Sequence, residues 1–409
     1  MKIYQMLHFP LKGAGTGIYV DALARSLIKR GHEVRVLCSD HHVPNKQYYV
    51  EAILFSNGEN EKYDLDFDFP VFASHPMSKG KKFGELNQDQ KEAYVQAFRK
   101  KIGQGISGFK PDMIHVHHGW VIASVLAELD IPYVITLHGT EYYAFKKYKE
   151  YQGLTLRGIR GAQIIMTLTE QEREQAIGAY GIDPEKIIIV KSGTDTDIFR
   201  PLEIDKKSLL KSYAPALSRT DRPVVFFGGR LTAQKGLDTL LKAAEIYSQE
   251  HERPITLIAG DGDLRAQSEQ LAKQLQLDDI YFLGNQDHQQ MVKLYNIADV
   301  VAAPSRFEPF GLVALEALAC GTPVIASKAE GFRQTINEQV GCLIELDDYK
   351  ALAEKVTTFI RDGFKEKVKY KSAAYVKQKF SWAGTVSHIE RVYKRVLGHP
   401  PAGVLRTTK

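Results

Sequence analysis

The chain has 409 residues, 44% of them hydrophobic and 25% charged, with 32 Gly and 16 Pro. That composition excludes a disordered chain, a collagen-like fibre and a disulfide scaffold, and the length suits two or three domains. Lys and Arg exceed Asp and Glu by 54 to 49, a net charge of +5, which is well short of a dedicated nucleic-acid binder.

In chain order, residues 2–8 are expected to form a strand. Residues 18–30 form a helix with Ile18, Ala22, Leu23 and Leu27 on one face, ended by Gly31. A second strand follows at 33–37. Residues 48–94 are rich in Asp, Lys and aromatics and weakly periodic, so they read as an insertion of loops. Further strands are expected at 113–116, 133–137, 164–168 and 187–190, mostly with helical segments between them. The pattern breaks over 195–222. It resumes with strands at 224–227, 255–259, 280–283, 300–303 and 323–326. Strand and helix in repetition mean parallel, doubly wound sheets. The fold class is therefore α/β with two Rossmann-like domains, 1–198 and 199–380, and residues 399–409 form a frayed tail. Ligands of such sheets lie beyond the C-terminal ends of the strands.

Cys38, Cys320 and Cys342 are widely spaced with no Cys-x2-Cys pair, which points to a reducing compartment. No apolar run approaches the ~18 residues of a membrane span. Residues 1–9 are too short for a signal-peptide core. The expected location is the cytoplasm.

Four motifs fall at strand ends. The first is the loop Gly13-Ala14-Gly15-Thr16-Gly17, where glycines admit a phosphate or sugar to the backbone and a helix N-terminus favours an anion. It lacks the Gly-x-Gly-x-x-Gly spacing of a nicotinamide site, so an oxidoreductase is disfavoured even with Asp40 in place. A plain tight turn is the competing reading. The second motif is Leu137-His138-Gly139, a histidine just past a strand end that either meets a ligand or satisfies loop backbone. The third is Gly228-Gly229-Arg230 followed by Lys235-Gly236. Arg can grip phosphate oxygens with two parallel bonds and Lys adds a point charge, against the plainer reading of two solvated cations. The fourth holds Glu308 and Glu316, with Pro309 and Gly311 keeping the first acid off a helix that begins at Leu312. Carboxylates accept bonds from vicinal hydroxyls, so a sugar or ribose suits each, whereas a buried structural acid is the alternative for Glu316.

Together these motifs resemble the retaining glycosyltransferases of family 4, which have the two-domain GT-B fold. Glu308 and Glu316 match that family's Glu-x7-Glu pair, and Gly31-His32-Glu33-Val34 and Gly321-Thr322-Pro323 also fit. The resemblance implies that Arg230 and Lys235 bind the donor diphosphate and stabilise the leaving group. Glu308 would hold donor-sugar hydroxyls, with Phe310 beside it and Gly311 and Leu312 contributing backbone N–H groups to the ligand, and Glu316 would hold the ribose. His138 would touch the donor sugar near the reacting carbon. Gly15 and Thr16 would close the site from the acceptor side, and Gly229 would line the donor. The base would lie near Gly260, Asp261, Leu283 and Asn285. A final helix, 381–398, would cross back onto the first domain. The chain departs from the family at Ser192-Gly193-Thr194-Asp195 and at Glu330-Gly331 with Gln334, which leaves donor identity open.

The implied partners are a nucleotide-sugar donor, UDP-sugar favoured with GDP- or ADP-sugar open, and a small-molecule, glycan or lipid-linked acceptor. Nucleic acid is not among them, and oligomeric state is not legible. No cofactor or metal is expected. Pairs such as Asp64-x-Asp66 and Asp195-x-Asp197 imitate a metal motif of another transferase fold. His115, His117 and His118 raise a metal reading too weak to keep beside one near acid, Asp112. Competing functions are a nucleotide-sugar epimerase, a phosphorylase, or a silent sugar-nucleotide-binding subunit. The stretch from Tyr142 to Lys149 mixes aromatics with lysines, either as a weak membrane contact or as a solvated helix. Lys365, Lys367, Lys369 and Lys371 read as an exposed basic face.

Overall fold

A computed structural model describes all residues except 13–14, 72–80, 216, 218, 309 and 399–409. Gly13 and Ala14 of the first motif, Pro309 of the fourth and the expected tail therefore lie outside the described residues. The strands are β1 (Lys2–Met6), β2 (Glu33–Asp40), β3 (Tyr49–Leu54), β4 (Met113–His117), β5 (Val134–Thr136), β6 (Ile164–Thr167) and β7 (Ile187–Ile189). They continue with β8 (Val224–Gly228), β9 (Ile255–Ala259), β10 (Ile280–Gly284), β11 (Val300–Ala303), β12 (Val324–Ser327) and β13 (Gly341–Ile344). Among the described residues they make two sheets, ordered β3-β2-β1-β4-β5-β6-β7 and β10-β9-β8-β11-β12-β13. Every pairing is parallel. The strands are apolar runs because helices cover both faces of such a sheet. In each sheet the order reverses beside the first strand, β1 or β8, where this topology opens a crevice for ligands.

The stretch 48–94 is not all loop. Residues Tyr49–Leu54 add a parallel edge strand to β2, with Val50, Ala52 and Ile53 turned inward. A long helix, Gln88–Phe109, starts where Asn87 accepts from the Gln90 N–H and buries Tyr94, Phe98, Ile102 and Phe109 on one side. Polar and charged residues dilute that stripe along the helix, which is why its period is faint in the sequence.

The chain divides into two compact units, 1–191 with 385–409, and 192–384. The first boundary therefore falls seven residues before the expected 198, and the second falls after 380. Backbone pairing explains both. The Val190 N–H closes onto the Thr167 carbonyl of β6 at 2.8 Å, whereas the Thr194 N–H donates to the Phe380 carbonyl at 2.8 Å and the Thr194 carbonyl accepts from the Trp382 N–H at 3.1 Å.

The last helix, Trp382–Gly398, joins the first unit from Thr385 onward. It buries Val386, Ile389, Val392 and Tyr393 there. Glu390 meets Arg30 at 2.7 Å and His32 at 2.5 Å. These partners, Arg30 first, hold its carboxyl down at about 2. The Tyr393 hydroxyl bonds His115 Nδ1 at 2.7 Å.

The expected basic face on helix Phe364–Lys379 holds only in part. Lys367 and Lys371 are exposed, Lys369 is half-buried and pairs with Glu203 at 3.3 Å, and Lys365 turns in and donates to the carbonyls of Asn296 and Ala298, each at 2.6 Å. Burial lowers its pKa to about 8. On a helix, charges at alternate positions point in different directions. Among the described residues, no helix is long and apolar enough to cross a membrane.

Candidate functional site

In the second unit the loops after β8, β9, β10 and β11 are stitched into one surface. The Gly229 N–H donates to Ala259, the Leu231 N–H to Asp261 and the Gly260 N–H to Gly284, at 3.0, 3.0 and 2.7 Å. Only glycine fits at 260, because a Cβ there would run into the carbonyl oxygen of Gly229 and φ is +129°. Gly236 is confined in the same way by the Pro304 carbonyl, with φ +65°. These bonds bring Gly229, Gly260, Asp261 and Leu283 to one strand-end surface, with exposed Asn285 on the loop that follows.

Lys235 and Glu308 are 73 residues apart and form an ion pair at 2.7 Å. The other Glu308 oxygen accepts from the Gly311 N–H at 3.2 Å. Gly311, with φ +85°, caps helix Leu312–Ala319, and Phe310 is buried. The expectation of a ligand-facing N–H at Gly311 is therefore modified, since that donor already holds Glu308. The Arg230 guanidinium is exposed and has no hydrogen bond or ion pair among the described residues, so its fork of donors is available to an anion. Glu316, one to two turns into the helix, accepts from the Tyr295 hydroxyl at 2.9 Å. Burial raises its pKa to about 7.

Sequence reasoning missed what holds this loop pair. The Arg306 guanidinium binds Asp238 at 3.0 and 2.7 Å, Asp347 at 2.7 Å and the Ala233 carbonyl at 2.7 Å. It ties the Lys235 loop to the Glu308 loop. The only sequence signal was an Arg two residues before Glu308. A hollow of about 520 Å³ lies behind the same loop, lined by Leu231, Asp238, Gln267, Leu271 and Arg306 among others. Arg230, Lys235, Glu308 and Glu316 do not line it, so it is separate from the surface built from the motifs.

In the first unit His138 sits past β5 in a nest of buried histidines. His118 Nδ1 meets Glu141 at 2.8 Å, and the His138 N–H donates to both oxygens of Glu141, at 3.2 and 3.1 Å. His118 Nε2 bonds the Thr16 hydroxyl at 3.1 Å. A carboxylate accepts, so His118 Nδ1 is the nitrogen that donates to Glu141, and the ring's other nitrogen meets the Thr16 hydroxyl. Thr16 is thus anchored by a bond that the sequence does not foretell. Gly17, not Gly15, is the sterically required glycine of the described loop: a Cβ at 17 would strike the Pro10 carbonyl, while one at 15 meets nothing within 4 Å. Burial holds the His138 and His117 rings well below the usual imidazole pKa, hence neutral.

Several residues behind the metal readings have protein partners. His115 bonds Tyr393 and, at 2.8 Å, Thr136. Asp64 accepts from the Leu54 N–H, and Asp195 from the N–H groups of Asp197 and Ile198. Among the described residues, no group of three or more His, Cys, Asp or Glu is arranged to hold a metal ion.

Residues 13–198 match the family described as Glycosyltransferase Family 4, and residues 212–377 match Glycosyl transferases group 1. A D-inositol 3-phosphate glycosyltransferase of Catenulispora acidiphila is 30% identical over 315 residues, covering 70% of this chain and 72% of that protein. An uncharacterised glycosyltransferase of Methanocaldococcus jannaschii is 29% identical over 394 residues, covering 93% and 94%. Among solved structures, sucrose-phosphate synthase of Thermosynechococcus elongatus is similar with a TM-score of 0.73 and 21% identity, over 97% of this chain and 100% of that one. HepE of Anabaena, in complex with UDP and glucose, is similar with a TM-score of 0.71 and 21% identity, over the same shares.

Proposed function

The chain belongs to glycosyltransferase family 4, with the GT-B fold, and from that premise we propose that it moves a hexose, with retention, from a nucleotide-diphosphate sugar to a hydroxyl acceptor without a metal ion. The observation that carries this reading is the Lys235–Glu308 pair at 2.7 Å, held between loops at the ends of β8 and β11 beside the open Arg230. A cation that keeps two N–H donors after binding Glu308 can still meet a phosphate oxygen. A UDP-sugar is the favoured donor, in keeping with the UDP and glucose of the HepE complex. The cytoplasm is the assigned location, a reading supported by the three free thiols.

In this mechanism the bond from the anomeric carbon to the diphosphate breaks as the acceptor oxygen approaches from the same face. Negative charge grows on the departing phosphate, where Arg230 and Lys235 meet it. Preorganised charge acts most strongly on such a transition state. The acceptor proton passes to the leaving phosphate oxygen. Glu308 orients donor hydroxyls, Glu316 accepts from the ribose, and His138 contacts the donor sugar.

The test joins binding to turnover. One nucleotide among UDP, GDP and ADP is expected to raise the melting temperature of the full chain whether or not EDTA is present. Ligand at about 100 times its Kd adds ~2.7 kcal/mol. With that nucleotide's sugars as donors, Glu308→Ala and Lys235→Ala are each expected to lose transfer by at least about tenfold, or ~1.4 kcal/mol. Full activity in both variants overturns the site. Activity abolished by EDTA and restored by Mg²⁺ or Mn²⁺ overturns metal independence.

A further inference from the structure

The His138 ring is not an isolated group. Gln5, fully buried on β1, places its amide oxygen 3.2 Å from His117 Nε2, and His117 Nδ1 lies 3.1 Å from His138 Nε2. The two imidazoles are 5.4 Å apart, 35° from parallel. Gln5 Nε2 finds no hydrogen-bond partner among the described residues, so the bond to His117 is what engages this amide.

A row of neutral imidazoles has two self-consistent proton arrangements, and the group at its end selects between them. An amide oxygen accepts only. It requires a proton on His117 Nε2, which leaves His117 Nδ1 as an acceptor. His138 must then donate from Nε2, and its Nδ1 is left as a bare acceptor. With an amide N–H facing His117 instead, every proton in the row would shift and His138 Nδ1 would become a donor.

We propose that Gln5, acting through His117, is a positioning residue that fixes His138 as the Nε2–H tautomer, so that Nδ1 is offered as an acceptor to a hydroxyl of the donor sugar. The proposal rests on the role given to His138 above. Neither Gln5 nor His117 is asked to touch substrate. A ring in the wrong tautomer turns a hydrogen bond to the sugar hydroxyl into a contact between two poorly matched groups, and the penalty falls on turnover when that contact tightens in the transition state.

The direct test is tautomer-resolved ¹⁵N NMR of the full chain labelled at histidine, with His138 assigned by the signals missing from His138→Gln. The expected spectrum has a protonated Nε2 and a bare Nδ1 at His138. A protonated Nδ1, or an exchanging mixture in the unmodified protein, overturns the proposal without any variant having to fold. Gln5→Met is then expected to convert His138 to a mixture of tautomers. Its kcat should fall about tenfold, with the donor KM changed less than about twofold. An unchanged tautomer in a folded Gln5→Met overturns the relay. A changed tautomer with unchanged kcat upholds the relay and removes the role given to His138, so the two failures are told apart.

Discussion

Glu172 shows how burial alone sets the chemistry of a single side chain. It lies 7% exposed near Glu141, and one of its oxygens accepts from the Leu168 N–H at 2.7 Å. Burial is the main cause that raises its pKa to about 8. The folded chain therefore keeps a proton that the unfolded chain releases near the ordinary glutamate pKa of about 4.3. Stability from this group is present below that value and is lost as pH rises toward about 8. Glu172→Gln keeps the shape and stays neutral. Its melting temperature is expected to decline less between pH 5 and pH 8 than that of the unmodified chain. Parallel slopes in calorimetry would show that Glu172 ionises freely in the fold.

At the scale of loops and helices, the donor-side surface depends on backbone closeness that no side chain supplies. Gly260 and Gly229 touch through their backbones, so Gly260→Ala must push two strand-end loops apart. The expected cost is about 1–3 kcal/mol, from strain at a positive φ and a blocked contact. Thermal melts should show a lower transition and little or no stabilisation by nucleotide. Gly103 is the contrasting case, inside helix Gln88–Phe109 with nothing within 4 Å of an added Cβ. Gly103→Ala is expected to gain about 0.5–1 kcal/mol from helix propensity. A loss there would mean that the helix is set by contacts beyond its own backbone.

At the scale of the whole molecule, the first unit is discontinuous in sequence, and its last element comes from the C-terminal helix. The fully buried Tyr393 and His115, 278 residues apart, join that helix to β4. Tyr393→Phe leaves His115 Nδ1 buried without its partner and is expected to cost about 1–3 kcal/mol. Ending the chain at Gly384 also uncovers the sites of Val386, Ile389 and Val392, each a loss of about 1.5–3 kcal/mol if fully buried. The shortened chain should melt well below Tyr393→Phe and be cut by protease within residues 1–191. Equal resistance in full and shortened chains would show that the helix is dispensable to the unit.

The sequence by itself determined the alternation of strand and helix, and with it the two parallel sheets, because short apolar runs and 3.6-residue stripes are local signals. It also determined which residues fall at the strand ends, since Gly229, Lys235, His138 and Glu308 follow directly from those runs. The family was legible there, in four ordered motifs. The edge strand Tyr49–Leu54 and the helix Gln88–Phe109 were not, because partner strands and diluted apolar stripes decide them. Only the tertiary structure decided that Lys235 pairs with Glu308, that Arg306 ties their loops, that Lys365 turns inward, and that Gln5 stands behind His117 and His138. Those choices join positions from 21 to 112 residues apart. No local period encodes such a distance; burial and the need to satisfy each polar group select the partner.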